Sequence, residues 1–216
     1  MRADSKTKES DEYLLNAAAE GKLYELKQAL RAGADIEAKD KKFGNTAVMW
    51  ASLQGNIEII NVLLQHGADI EAKSIDGHKT PLMFAAYKGN LKTVQYLLSK
   101  GALCDYKNIR GDSALSLASY MGHADVVKEI LKRRPYVDSQ SNKDGYTALH
   151  FAAYKGIRLR VSLIFYYIIT GHLDVVRSLV KAGADIDLTE ASGKSAVMLA
   201  AVGRHHLVIS YLISKG

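Results

Sequence analysis

The absences in this 216-residue chain remove several functional classes at once: it has one cysteine, no apolar leader, no long hydrophobic run and no block of like charge. Cys104 stands alone, so no intramolecular disulfide can form, and the opening MRADSKTKES lacks the apolar core of a secretory signal. A reducing compartment is expected, the cytoplasm, with the nucleus as the alternative. The longest nearly continuous apolar run, residues 161–170, would extend about 15 Å as a helix, half of a ~30 Å hydrocarbon core, so no transmembrane segment is expected. The formal net charge is +6, but lysines and arginines interleave with acids, which leaves nucleic acid an unfavoured partner. There is no Gly-rich phosphate loop, paired-cysteine metal site or nucleophile elbow. No enzyme, cofactor or metal site is expected.

What the chain does have is enough apolar residue for a core, 48% against 24% charged, and a strong internal period. The small pairs Ala18-Ala19, Ala51-Ser52, Ala85-Ala86, Ala118-Ser119 and Ala152-Ala153 follow one another at steps of 33, 34, 33 and 34 residues. The sixth pair, Ala200-Ala201, arrives only after 48. A second marker, the glycine after each apolar run, falls at Gly33, Gly67, Gly101, then Arg134 in its place, then Gly183 and Gly216. One step is again too long, by about 15 residues, and the excess lies between Ala153 and Gly183.

Each unit predicts two short antiparallel helices. In TPLMFAAYKGNLKTVQYLLSKGA, Leu82, Ala85 and Ala86 share one helix face, and Gly89 ends that helix. Leu91, Val94, Leu97 and Leu98 then form a second apolar face, closed by Gly101. Stretches such as NIRGDS and NKDGYT between units favour tight turns, and the Thr or Ser at 46, 80, 113, 147 and 195 stands where it can cap the next helix.

On these residues the chain resembles the ankyrin-repeat family. DGYTALHFAAYKG (144–156) matches the family's opening motif nearly residue for residue, and HLDVVRSLVKAGADI (172–186) matches its second helix and exit. The resemblance implies an all-α fold, a solenoid of stacked antiparallel helix pairs with β-turn fingers. It sets residues 1–10 apart as a flexible segment and makes 11–216 a single repeat domain. The repeats fall at about 11–39, 40–73, 74–106, 107–139, 140–188 with an insertion at 157–171, and 189–216.

Several chemically inviting residues belong to that scaffold. Trp50, Phe84, Leu117, Phe151 and Leu199 share one repeat position and read as core. His150 stands where other units carry Met49, Met83, Ser116 and Met198, and His123, His172 and His205 share a helix start with Asn56 and Asn90, so all four histidines read as structural. Cys104, at an exit turn, reads as a buried inert thiol.

Recognition remains. The resemblance implies partner contacts at the turn tips and on the outward side of the first helices. That selects Lys42, Asn45 and Gln54; His78, Lys79, Tyr87 and Lys88; Arg110, Asp112, Tyr120 and Met121; and Tyr146, Tyr154 and Lys155. Tyr87, Tyr120 and Tyr154 hold one position in three consecutive repeats and should form a ladder. Tyrosine gives large contact area at little rotamer cost; the alternative is that these side chains are merely solvated. The leading expectation is a monomeric, non-catalytic adaptor that binds another protein. Nucleic-acid or other anionic-partner binding through the basic residues is the alternative, opposed by the exit-turn acids Glu37, Glu71, Asp105, Asp138 and Asp187. A regulatory repeat region of a larger protein is a third reading, suggested by the apolar HHLVISYLISKG at the far end, where a terminal repeat should be polar.

The surplus fifteen residues interrupt the turn between the two helices of the fifth repeat. VSLIFYYII within them is apolar and rich in β-branched residues, poor material for a solvent loop. Three readings stay open: a loop that docks on a partner or membrane, a segment folded back over the helices, or sequence that is not native coding. The last is favoured by the frame, since removing 157–171 restores the motif AAYKGHLDVV without a break. Sequencing the transcript decides it.

Overall fold

Small residues at the centre of each repeat let helices approach closely, and the architecture follows from that. The computed structural model describes residues 2–142, 144–154 and 172–216, with side chains from residue 8 onward. The insertion at 157–171 and Lys155 therefore lie outside the described residues. Among the described residues there are twelve α-helices and one isolated bridge, Thr189 with Ser195.

The chain divides into two compact units, Met1–Asn108 and Ile109–Gly216. In a solenoid each repeat touches only its neighbours, so contacts are local along the chain. The first unit holds α1 (Arg2–Glu20), α2 (Leu23–Arg31), α3 (Ala47–Gln54), α4 (Ile57–Gln65), α5 (Pro81–Lys88) and α6 (Leu91–Ser99). The second holds α7 (Ala114–Met121), α8 (Ala124–Leu131), α9 (Ala148–Tyr154), α10 (Leu173–Lys181), α11 (Ala196–Val202) and α12 (His206–Ile213). Residues 2–10, set apart by the sequence as a flexible segment, have helical backbone continuous with the first repeat.

Within each unit consecutive helices pair, first helices stack on first helices and second on second. Ala51-Ser52, Ala85-Ala86, Ala118-Ser119 and Ala152-Ala153 are buried where these layers meet. The second helices bury Ile59, Ile60 and Leu63, then Val94, Leu97 and Leu98, then Val126, Val127 and Ile130, then Val175, Val176 and Leu179. Gly55, Gly89 and Gly122 close their first helices in the left-handed conformation, at φ 82°, 76° and 79°. A β-carbon there would be strained.

Capping is narrower than the sequence predicts. Thr80 accepts from the Met83 N–H, Ser113 forms a reciprocal capping box with Ser116, and Thr147 accepts from the His150 N–H. Thr46 and Ser195 make no such bond; the Thr46 hydroxyl is enclosed without a polar partner.

Turn fingers precede the first helices, and a polar side chain closes several of them from within. Asp40 Oδ1 accepts from the N–H of Lys42 (2.9 Å) and Phe43 (2.7 Å), while Oδ2 accepts from the N–H of Asn45 (2.9 Å) and the Trp50 indole (3.1 Å). Ser74 and Ser141 do the same for Lys79 and Tyr146, at 2.9 and 3.0 Å. Neighbouring fingers are joined by backbone bonds, Asp76 N–H to the Phe43 carbonyl in the first unit and Asn142 N–H to the Arg110 carbonyl in the second. Burial pushes the Asp40 carboxyl up, but its three backbone donors and the indole together hold it below the ordinary 3.8. The bonds it makes as an anion are thus complete above that value and are lost as pH falls through the folded one. Asp40→Asn should cost about 1 kcal/mol at pH 7 and remove that acid-side step, measured as urea-unfolding midpoints across pH.

Candidate functional site

The candidate residues are placed by two devices, the fingers and a polar bolt at the start of several second helices. Asn90 Nδ2 donates to the carbonyls of Ser52 (3.1 Å) and Leu53 (3.0 Å) in the preceding repeat. His172 Nε2 stands 3.3 Å from the Tyr120 carbonyl and His205 Nε2 3.1 Å from that of Tyr154. These histidines therefore fix the backbone of the very tyrosines that the sequence singles out, one repeat before them.

In the first unit the described candidates surround aromatic rings. Lys42 Nζ stands 4.9 Å above the Phe43 ring, and Phe43 meets Trp50 edge-on at 6.4 Å. Lys79 Nζ lies 5.9 Å from the Phe84 ring centre. His78 sits at a finger tip with φ 54° and is exposed, as are Gln54 and Lys88. Tyr87, in the last turn of α5, is 39% exposed. Asn45 departs from expectation: its side chain is only 3% exposed, so it serves the interior of the finger and offers no contact to a partner.

The second unit gathers its candidates more tightly. Tyr120 at the end of α7 meets Phe151 of α9 edge-on at 5.7 Å, and Tyr146 from the finger stacks on the same Phe151 at 5.2 Å. Tyr146 also faces the His150 ring at 5.9 Å. Burial, then the negative charges of Glu190, Tyr154 and Asp144 in their ionised forms, push the Tyr146 phenol up, so it stands as a neutral hydroxyl. Tyr154 is 42% exposed beside this cluster's helix; Met121 and Asp112 are half-buried and Arg110 exposed. Tyr87 belongs to the first unit and Tyr120 and Tyr154 to the second.

Two groups of residues have roles that the sequence does not announce. Trp50, Phe84, Leu117 and Phe151, expected as core, are half-buried and form the wall between finger and first helix; only Leu199 of that set is buried. The variety of large residue types at this position, beside the uniformly small pair, was the available signal. The exit-turn acids work as acceptors: Glu37 takes the Asp69 N–H, Glu71 the Leu103 N–H and Asp138 the Asp185 N–H, at 2.7, 2.7 and 3.0 Å. Cys104 is half-buried, its Sγ 3.7 Å from Asp105 Oδ2.

Among the described residues no helix is long and apolar enough to cross a membrane, and no cluster of His, Cys, Asp or Glu is arranged to hold a metal. Models of ankyrin repeats match residues 14–108, 102–165 and 164–213, nearly the whole chain. Among curated proteins, the Notch-regulated ankyrin repeat-containing proteins of zebrafish (protein A) and human are each 48% identical over 48 residues. That stretch covers 22% of this chain, and 43% and 42% of theirs. A putative ankyrin repeat-containing protein of Treponema pallidum is 31% identical over 107 residues, 50% of this chain and 31% of its own. The chain thus spans less than half the length of these relatives.

Proposed function

Because the chain belongs to the ankyrin-repeat family, a non-catalytic fold of protein–protein interaction modules, we propose that it is an adaptor capturing a partner protein on its finger and first-helix surface. The observation that carries this reading is the half-exposed ring cluster of Tyr120, Tyr146 and Phe151, flanked by Tyr154. Aromatic side chains held in one rotamer by their neighbours lose little entropy on binding, which is the character of interface hot spots. Phenol hydroxyls donate to acceptors, so a partner segment that offers carboxylates or carbonyls suits this surface. Tyr87 and Lys88 hold the same repeat positions in the first unit.

Nucleic-acid binding through Lys42, Lys79, Lys88, Arg110 and Lys155 has less support. Lys42 and Lys79 lie over phenyl rings, which draws two of the five cations away from a continuous track.

The test is capture from an extract with the full chain, identification of the partner, and affinity measurement with the Tyr87→Ala/Tyr120→Ala/Tyr154→Ala variant. Two or more hot-spot side chains among them predict a loss of at least ~100-fold. Unchanged affinity in a folded variant would remove the interface from this surface.

A further inference from the structure

We propose a second binding site, on the second helices of the fourth and fifth repeats, for a compact polyphosphate. It goes beyond the protein-capture reading and uses none of the same residues. A groove of about 550 Å³ runs between α8 and α10, lined by Lys128 and Lys132 on one side and Arg177 and Lys181 on the other. Lys128 and Arg177 hold the same repeat position, as do Lys132 and Lys181, each five and nine residues after the helix-start histidine. Residues four apart on a helix stand about 6 Å apart along its axis, and packed helices lie about 8–10 Å apart. The four cations thus frame a small rectangle.

The four cations outnumber the acids beside them, Asp174 in the groove and Glu129 on α8. Glu129 pairs with Lys132 at 2.7 Å, but among the described residues no carboxylate lies within ion-pair distance of Lys128, Arg177 or Lys181. Arg177 is held in place by the Tyr211 ring, 5.6 Å away. Just beyond α8 the exposed Arg133 and Arg134 add two further charges, and Arg134 takes φ 52° where the other exits spend a glycine at 84° to 94°. An arginine in the left-handed region carries a local backbone cost that glycine avoids.

The pattern is local. The corresponding residues are Asn61 and Gln65 on α4, and Gln95 and Ser99 on α6. Lys27 and Arg31 on α2 repeat the pair, but their neighbour α4 is neutral there, so only α8 and α10 set two cationic pairs side by side.

Four cations in one small groove suit a compact ligand that carries several negative charges, and both lysine, as a point charge, and arginine, as a fork, bind phosphoryl oxygens. Asp174 lies in the groove and Asp125 holds the equivalent place on α8, which interrupts any extended track for a nucleic-acid backbone. The polyphosphate can be free in solution or displayed on a lipid headgroup.

Calorimetric titration of the full chain with inorganic tripolyphosphate tests the site. We expect binding at least ~10-fold tighter than that of sulfate at equal ionic strength, weakened ~10-fold or more by Lys128→Ala/Lys181→Ala and unchanged by Lys27→Ala/Arg31→Ala. The Tyr87→Ala/Tyr120→Ala/Tyr154→Ala variant should bind tripolyphosphate normally, which separates failure of this site from failure of the protein-capture surface. Vesicles of phosphatidylcholine carrying phosphatidylinositol bisphosphate form the second arm. Retention that tripolyphosphate displaces, with the same variant dependence, assigns the lipid-borne source; absence of retention alongside tripolyphosphate binding assigns the free one. Equal loss in both alanine pairs, equal retention on phosphatidylserine vesicles of matched charge, or tighter binding of a single-stranded oligonucleotide than of tripolyphosphate would each overturn the proposal.

Discussion

Replacing His150 with alanine is expected to destabilise the second unit by about 3 kcal/mol, measured by urea unfolding at pH 7. The imidazole is 1% exposed and is bonded through both nitrogens. Nδ1 accepts from the Thr147 N–H at 3.1 Å, so Nε2 carries the proton and donates to the Leu188 carbonyl at 3.0 Å. One ring therefore ties the start of α9 to the strand-like entry of the next finger, 38 residues on. Alanine leaves the Leu188 carbonyl and the Thr147 amide without this partner and opens a cavity as well. His150→Met separates the two contributions, since methionine fills the same position at Met49 and Met83, both buried. That variant should recover the volume but not the bonds, leaving a loss of about 1–2 kcal/mol. Full stability in the methionine variant would show that the ring is only a filler.

The same histidine predicts a pH dependence of definite sign. Burial, the largest influence, lowers its pKa below the ordinary 6.5, against the Leu188 carbonyl and the nearby carboxylates, which raise it. The folded chain keeps it neutral while the unfolded chain takes up a proton. The stability it supports is complete above 6.5 and declines as pH falls from there through the folded value. In His150→Met that decline should be smaller between pH 6.5 and 5, and the comparison needs only unfolding midpoints at each pH. An identical slope in both proteins would assign the titration elsewhere.

His150 also shows how far the sequence could be read. Its place in a repeated motif marked it as structural, and the period of the small pairs located both helices of every described repeat. Periodicity counts positions, however, and does not say what lies opposite them. Trp50, Phe84 and Phe151 recur where a core residue recurs, yet they are half-buried. Glu37, Glu71 and Asp138 read as unfavourable charge for an anionic partner, because nothing local predicts an acceptor for an N–H some 32 or 47 residues away. Asn45 looked like a tip residue from its place in the turn, but the bonds to Asp40 draw it inward. The basic groove of α8 and α10 is likewise invisible until the insertion is removed from the count, since its two helices lie 49 residues apart instead of the usual 33 or 34.

Excising residues 157–171 should stabilise the second unit by about 2 kcal/mol, because a closing loop of roughly 17 residues returns to roughly 2 and the closure entropy scales with the logarithm of length. The flanking framework is already in place. α9 and α10 pack as a pair, and His172 reaches the Tyr120 carbonyl as Asn90 reaches those of Ser52 and Leu53. Among the described residues the bond that closes the turn is longer here than in the other repeats. His172 N–H meets the Ala152 carbonyl at 3.3 Å, whereas the same bond from Asn56, Asn90, His123 and His205 measures 2.9, 3.0, 3.0 and 2.9 Å. Joining Gly156 to His172 supplies the glycine that takes φ 76° to 82° at Gly55, Gly89 and Gly122, and it removes an apolar β-prone run that favours self-association. The shortened chain should show a higher urea midpoint, an undiminished helical signal and less light scattering on heating. A lower midpoint would mean that the fifteen residues pack as part of the fold, and the reading of them as an interruption in an otherwise complete repeat would fail.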